Sequence, residues 1–267
     1  MVQAIRLAIN GASGRMGQAL LTLVREDQRF ELVRAIVRVG SVHDGVPVFG
    51  EQVDALRYSH DWNAMPPVDA MVDFSGPDGL AIALAHCTEH GIALVTGTTG
   101  IDAALEATLD QASKRIAILR AANFSLGVAV LTRLLREAAT ALPDWDLEIV
   151  ESHHGRKEDA PSGTALALGH AAAAARGGSL EQAGVYTREG RPGIRRHGSI
   201  GFAVVRGGDV VGEHTALLFG QGERVELSHR ATDRSIFARG ALEAAAWLVK
   251  QGHGSYGIDD MLQSRRS

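Results

Sequence analysis

Ile5-Arg6-Leu7-Ala8-Ile9-Asn10-Gly11-Ala12-Ser13-Gly14-Arg15-Met16-Gly17 is the stretch whose reading decides the fold class. Residues 5–9 form an apolar run that predicts a buried strand. Apolar residues at helical spacing over 16–24 predict a helix directly after the glycines. A strand that ends in G-x-x-G-x-x-G and opens a helix is a relative of the dinucleotide-binding fingerprint. Its glycines permit a tight turn and bring backbone N–H groups close to a pyrophosphate at the helix N-terminus. The contacts this predicts are Gly11, Ala12, Ser13, Gly14, Arg15 and Met16. The string also suits a strand-to-helix turn that holds no ligand, so the rest of the chain must arbitrate.

Working outward, the strand and helix pattern recurs: strands at 31–37, 68–74 and 92–96, with a helix at 80–89. Alternation of this kind predicts a parallel sheet covered on both faces. Later strands end in polar or glycine-rich turns, Asp73-Phe74-Ser75-Gly76, Gly97-Thr98-Thr99-Gly100 and Ala122-Asn123-Phe124-Ser125, and ligands of open α/β sheets sit at such ends. The second strand ends at Val37-Arg38, about 20 residues past the glycines, where the group that reads the adenine ribose belongs. No carboxylate stands there to accept from a free 2′-hydroxyl, whereas Arg38 can pair with a 2′-phosphate, as can Arg15. NADPH is therefore expected to bind at least as well as NADH, the alternative at Arg38 being a solvated surface charge.

Beyond about residue 125 the texture changes to strand-like stretches at 145–151, 200–206, 210–219 and 224–229, with two clear helices among them. The predicted fold class is α/β: an N-terminal dinucleotide-binding domain, which the family resemblance given below implies is a Rossmann domain, followed by a mixed-sheet α+β domain. The glycine- and arginine-rich stretch 187–199 reads as a mobile loop. Residues 171–175 read as part of an alanine-rich helix. A helix over 235–249 suits either domain. The net charge of −4 and 22% charged residues do not form the basic stripe of a nucleic-acid binder. No apolar run approaches a membrane span, and the N-terminal strand pattern is not an export signal, so a cytoplasmic location is expected. The single cysteine, Cys87, cannot form an internal disulfide and is expected to be a buried structural thiol.

The segment from Glu148 to Thr164 concentrates titratable and small residues between a strand and a helix. Pro161 can start a helix, Ser162 is a favoured N-cap residue, and the sequence from Ala165 onward is strongly helix-forming. Amides around Gly163 and Thr164 then lie at a positive helix end, a site for a carboxylate, and Gly163 lets that ligand come close. Upstream, His153, His154 and Lys157 add proton donors and partners for a second carboxylate, which suits reduction of a small dianion. The same residues taken singly suit a polar surface loop. No metal is expected, because the paired histidines have no third convergent ligand.

The run His153-His154-Gly155-Arg156-Lys157-Glu158-Asp159-Ala160-Pro161-Ser162-Gly163-Thr164-Ala165 resembles the H-H-x-x-K-x-D-A-P-S-G-T-A signature of bacterial dihydrodipicolinate reductases. Other marks of that family follow in order: 11–17, Asp73-Phe74-Ser75, Gly97-Thr98-Thr99-Gly100, Ala122-Asn123-Phe124-Ser125 and Gly212-Glu213-His214-Thr215. The resemblance implies a dinucleotide-binding domain over 1–124 and 235–267, with the C-terminal helix returning to it. It implies a substrate-binding and tetramerisation domain over 125–234. Implied catalytic residues are His153 and Lys157. Implied substrate contacts are His154, Ser162, Gly163 and Thr164. Implied nucleotide contacts are 11–16, Arg38, Phe74, Gly97, Thr98, Thr99, Ala121, Ala122, Asn123 and Phe124. The implied cofactor is NADPH, with NADH as a second choice. The implied substrate is a small cyclic dicarboxylate of the diaminopimelate route to lysine. Several members carry an acidic residue just before the ribose-reading arginine, and Val37 at that place favours NADPH. Two other readings stay open: a different two-domain dehydrogenase, and an NADP-binding sensor without catalysis. A thioester-forming semialdehyde enzyme would need a cysteine, and Cys87 is badly placed for one.

Overall fold

The computed structural model of the chain describes residues 3–50, 55–63 and 66–264. The chain divides into two compact units, one made of Met1–Ser125 with Ser235–Ser267 and the other of Leu126–Arg234.

The first unit is built on a seven-stranded parallel sheet. Its elements are β1 (Ile5–Asn10), α1 (Arg15–Val24), β2 (Phe30–Ile36), β3 (Tyr58–Ser59), β4 (Ala70–Asp73), α2 (Pro77–His90), β5 (Ala93–Thr96), α3 (Ala103–Ala112) and β6 (Ala117–Arg120). In spatial order the strands run β12-β6-β5-β4-β1-β2-β3, with β12 (Gly254–Tyr256) supplied by the C-terminal segment. Strand order reverses at β1, which lies between β2 and β4, and this reversal is where open sheets of this type carry ligands. The two shortest strands, β3 and β12, were not expected, since two or three residues carry no periodicity to read.

Both faces of this sheet are covered. Ala8, Met71, Leu94 and Ile118 pack with Leu80, Leu84 and Cys87 of α2 and Leu109 of α3. The alternate positions Leu7, Ile9, Val72, Val95 and Leu119 are equally buried. That second face receives α7 (Ser235–Leu248), which packs on β4, β5, β6 and α1. Cys87 is fully buried with its Sγ 3.8 Å from Met71 Sδ, and burial pushes the thiol pKa up, which fits an inert core residue.

The second unit contains α4 (Leu126–Ala141), β7 (Asp146–His153), α5 (Gly163–Ala175), the short α6 (Leu180–Ala183), β8 (Gly184–Val185), β9 (Ile200–Arg206), β10 (Gly212–Phe219) and β11 (Arg224–Ala231). Its five-stranded sheet runs β11-β10-β7-β9-β8 and is mixed: β7 is parallel to β9 and antiparallel to β10. Leu131, Leu135, Leu147, Ile149, Leu168 and Leu218 form its apolar core with α4 and α5 against one sheet face. Burying each such side chain contributes about 2 kcal/mol. The stretch 187–199, expected to be mobile, is anchored: Arg188 bonds Glu148 at 2.7 and 2.8 Å, and Arg195 bonds Asp146 at 2.7 Å and the Ser199 carbonyl at 2.6 Å.

Candidate active site

Strand geometry places the chemistry of the second unit. Side chains alternate along a strand, so Leu147, Ile149, Glu151 and His153 share one face of β7. The first two lie in the apolar core, and the third, although acidic, is only 1% exposed. Register sets its neighbours, with His214 of β10 opposite Glu151 and Arg206 of β9 opposite His153. One sheet face thus passes from an oily end to a charged one.

Glu151 is fully used there. Arg206 grips both carboxylate oxygens, at 2.8 Å each. His153 Nδ1 lies 2.5 Å from Oε2, and the Ser162 N–H donates to Oε1 at 3.0 Å. Burial pushes the Glu151 carboxyl up, but the Arg206 and His153 hydrogen bonds outweigh it and hold the group below the usual carboxylate range. Arg206 also donates to the Asp159 carbonyl at 2.8 Å, so one guanidinium steadies both the carboxylate and the loop that follows His153.

That loop leads into α5. Ser162 is its N-cap: the hydroxyl accepts from the Ala165 N–H at 3.2 Å and lies 3.0 Å from His214 Nε2. The Ser162 side chain is buried, and its hydroxyl caps the helix start. Gly163 and Thr164 form the first turn, and the space a Cβ would fill at Gly163 is open. Lys157 Nζ pairs with Asp159 at 2.7 and 2.9 Å, which holds the Asp159 carboxyl low. His154 donates its backbone N–H to the Val210 carbonyl at 2.8 Å. Desolvation, then the cations Arg234 and Arg156, lowers the proton affinity of its ring. His214 is 4% exposed; burial first, then His153 beside it at 5.2 Å between ring centres, lowers its pKa to about 4.

In the first unit the glycine turn is built as the sequence suggests, but its three glycines do different work. Gly11 has φ +78°, and a Cβ there would stand 2.7 Å from the Phe74 carbonyl oxygen. At Gly17 a Cβ would collide with the Gly11 and Ala12 carbonyls, whereas at Gly14 the nearest atom would be 3.2 Å away. The amides of Gly11 and Ala12 both donate to the Ile36 carbonyl, and that of Gly14 donates to Gly11. Those of Ser13, Arg15 and Met16 have no acceptor among the described residues. Gly14 caps α1 without a side-chain hydrogen bond, and no acidic residue stands in the first turn. An uncapped helix start of this kind fits a phosphate. Arg15 and Arg38 are exposed and have no ion-pair partner among the described residues.

Beside this turn the ends of β1, β4 and β5 meet at one buried carboxylate. Asp73 accepts from Asn10 Nδ2 at 2.8 Å, Ser75 Oγ at 2.5 Å, Thr96 Oγ1 at 2.9 Å and Thr98 Oγ1 at 2.7 Å. Thr98 therefore points inward while Thr99 is exposed. Gly97 lies under the Phe74 ring, where a Cβ would clash, and Phe74 meets the buried Phe124 edge-on at 5.5 Å. Ala121 donates its N–H to the Thr96 carbonyl at 3.2 Å, Ala122 is exposed, and Asn123 Oδ1 accepts from the Ser125 N–H at 2.8 Å.

Sequence reasoning passed over Asp73, Glu151, Arg206 and His214 as working residues. One signal was available: a glutamate at an inward position of an otherwise apolar alternation, Leu147-x-Ile149-x-Glu151. No group of three or more metal-ligating side chains occurs among the described residues, and no helix among them is long and apolar enough to cross a membrane.

A parallel sheet with its strand-order reversal at a glycine turn, together with a mixed-sheet unit carrying a histidine-rich strand end, defines a two-unit α/β protein of the Rossmann-like class. The chain belongs to the dihydrodipicolinate reductase family: the family's N-terminal model matches residues 5–124 and its C-terminal model residues 127–262. It is 47% identical over 262 residues to the 4-hydroxy-tetrahydrodipicolinate reductase of Xanthomonas axonopodis pv. citri (strain 306), covering 97% of this chain and 98% of that protein. A relative of the same name from Xanthomonas euvesicatoria pv. vesicatoria (strain 85-10) matches to the same extent. Among solved structures, the dipicolinate-bound dihydrodipicolinate reductase from Paenisporosarcina sp. TG-14 shares the fold, with TM-score 0.78 at 22% identity over 96% of this chain and 98% of that one.

Proposed function

We propose that the chain reduces 4-hydroxy-tetrahydrodipicolinate to tetrahydrodipicolinate and water in the diaminopimelate route to lysine, with NADPH as the preferred reductant and NADH as a second. The observation that carries this reading is that a single buried carboxylate, Glu151, grips both His153 and the residue that caps α5. A proton-carrying ring and a carboxylate-binding helix start are thereby held within one small region. A cyclic dicarboxylate that must gain a proton as it is reduced needs both.

When bound, reduced nicotinamide would supply a hydride: loss of the 4-hydroxyl as water leaves the ring unsaturated at C4, and a hydride at C4 with one proton at the neighbouring carbon then balances the reaction. The chain's residues do the rest. Hydride addition to the unsaturated imine leaves an electron-rich carbon beside C4, and His153 and Lys157 are assigned to deliver its proton. His154, Ser162, Gly163 and Thr164 are assigned to the substrate carboxylates, Ser162 also capping the helix start. Residues 11–16, Phe74, Gly97, Thr98, Thr99 and 121–124 are assigned to the nucleotide, and Arg38, aided by Arg15, to its 2′-phosphate. On this reading, 1–124 with 235–267 is the dinucleotide-binding domain and 125–234 the substrate-binding and oligomerisation domain. A cytoplasmic homotetramer agrees with the family likeness and with the helix-free face of the second sheet, where Val205 is 52% exposed.

The test is a coupled assay in which dihydrodipicolinate synthase makes the substrate from pyruvate and aspartate semialdehyde. Synthase-dependent loss of reduced-nicotinamide absorbance, faster with NADPH than with NADH at low concentration, is expected. Folded protein that binds NADPH yet oxidises neither cofactor would overturn the reading.

A further inference from the structure

We infer that Glu151, clamped by Arg206, is the positioning residue for His153, fixing which end of the imidazole exchanges protons with the substrate. The inference rests on His153 being the proton-carrying ring of the proposed reaction.

Geometry leaves the ring one arrangement. Both oxygens of Glu151 face hydrogen-bond donors, and a carboxylate that receives two bonds from a guanidinium is held as an acceptor. His153 Nδ1, 2.5 Å from Oε2, must then carry its hydrogen toward Glu151. The proton that can come and go is the one on Nε2. That end of the ring looks along β10 at Gly212, where even a Cβ would stand 3.0 Å from Nε2, so no side chain of that position stands against it.

The groups around the ring come from every adjoining element. On β7 there is Glu151, on β9 Arg206 and on β10 His214, and the loop that follows the strand carries His154, Lys157 and Asp159. Among them only Glu151 hydrogen-bonds the His153 ring. Arg206 shares the carboxylate charge, so Glu151 orients the ring through Nδ1 and remains an acceptor itself. His214 packs edge-on against the ring and blocks tilting toward β10.

The experiment compares the full-length protein with Glu151→Gln, His153→Ala and the double variant, reading kcat and KM in the coupled assay and NADPH affinity by fluorescence titration. Glu151→Gln keeps the shape and removes the charge. It should lower kcat by about 10²-fold, at the low end of general-acid effects, with NADPH affinity within twofold. The double variant should be no slower than His153→Ala alone, because a residue that acts through the ring has nothing left to act on.

If His153→Ala is slow but Glu151→Gln keeps the parent kcat, or if the two losses multiply in the double variant, Glu151 is structural and the inference falls. If His153→Ala itself keeps the parent kcat, the assignment of His153 is what fails, and the inference falls with it. Should Glu151→Gln not fold, nitrogen-15 NMR of the histidine rings in the unmodified protein decides. The neutral His153 ring should be the Nδ1-protonated tautomer, and the Nε2-protonated form would overturn the inference.

Discussion

Each unit of this chain buries a carboxylate near the carboxyl end of a central strand, and the two are satisfied in opposite ways. Asp73 is surrounded by an amide and three hydroxyls, all neutral donors from β1, β4 and β5 and the turns that follow them. Glu151 is held by a guanidinium, an imidazole and one backbone amide. Neutral donors have no charge to exchange, so Asp73 can only tie strand ends together. A carboxylate bonded to a histidine also biases where that ring keeps its proton. What surrounds a buried carboxylate therefore tells whether it holds a backbone or governs a proton.

The comparison predicts that damage in the second unit shows in kcat and damage in the first in stability and nucleotide affinity. The largest effect should come from His153→Ala, which is expected to lower kcat by about 10²- to 10⁴-fold while NADPH titration is nearly unchanged. A parallel loss of NADPH affinity would erase the contrast. Next, Asp73→Ala strands Asn10, Thr96 and Thr98 without their buried acceptor and should cost about 3 kcal/mol of stability, read by denaturant unfolding. Its kcat at saturating NADPH should stay within a few-fold of the parent, and a His153-like collapse of kcat would show the two carboxylates to be equivalent after all.

A pH effect of similar or smaller size belongs to the second unit. His214 has its pKa depressed from 6.5 to about 4, chiefly by burial and then by His153. As pH falls, the unfolded chain takes the proton first. The stability carried by neutral His214 is complete above about pH 6.5 and is lost as pH falls toward 4, by roughly 3 kcal/mol in all. Thermal unfolding across that window should flatten in His214→Gln, and an unchanged slope would remove His214 from the network. The smallest effect is expected at Arg38: Arg38→Ala should weaken NADPH roughly tenfold and leave NADH unchanged, measured as the ratio of the two dissociation constants. Equal losses for both cofactors would deny it the 2′-phosphate.

Much of this was legible in the chain as written. The strand, glycine turn and helix over 5–24 follow from local periodicity, and so do the strands read at 145–151 and 210–219. Ser162 capping α5 followed from its side-chain chemistry and from the helix-forming run behind it. The turn itself was only half legible. That Gly11 and Ala12 spend their amides on the Ile36 carbonyl depends on β2 lying beside β1 in parallel, and neither segment carries a mark of that pairing. In the same way, the arginines of 187–199 suggested a loose basic loop until Glu148 and Asp146 were found beneath them.

By itself the sequence determined the first strand, the glycine turn and the helix after it, the helix start at Gly163 and the cluster of proton-carrying residues at 153–157, because each is set by neighbours a few positions away. Only the tertiary structure decided that Glu151 meets Arg206 and His153, that Ser162 meets His214, and that Asn10, Thr96 and Thr98 converge on Asp73. Most of those partners lie tens of residues apart. Strand register brings them together, and register is a property of whole packed sheets, fixed by which faces bury their apolar side chains and unreadable from any one segment.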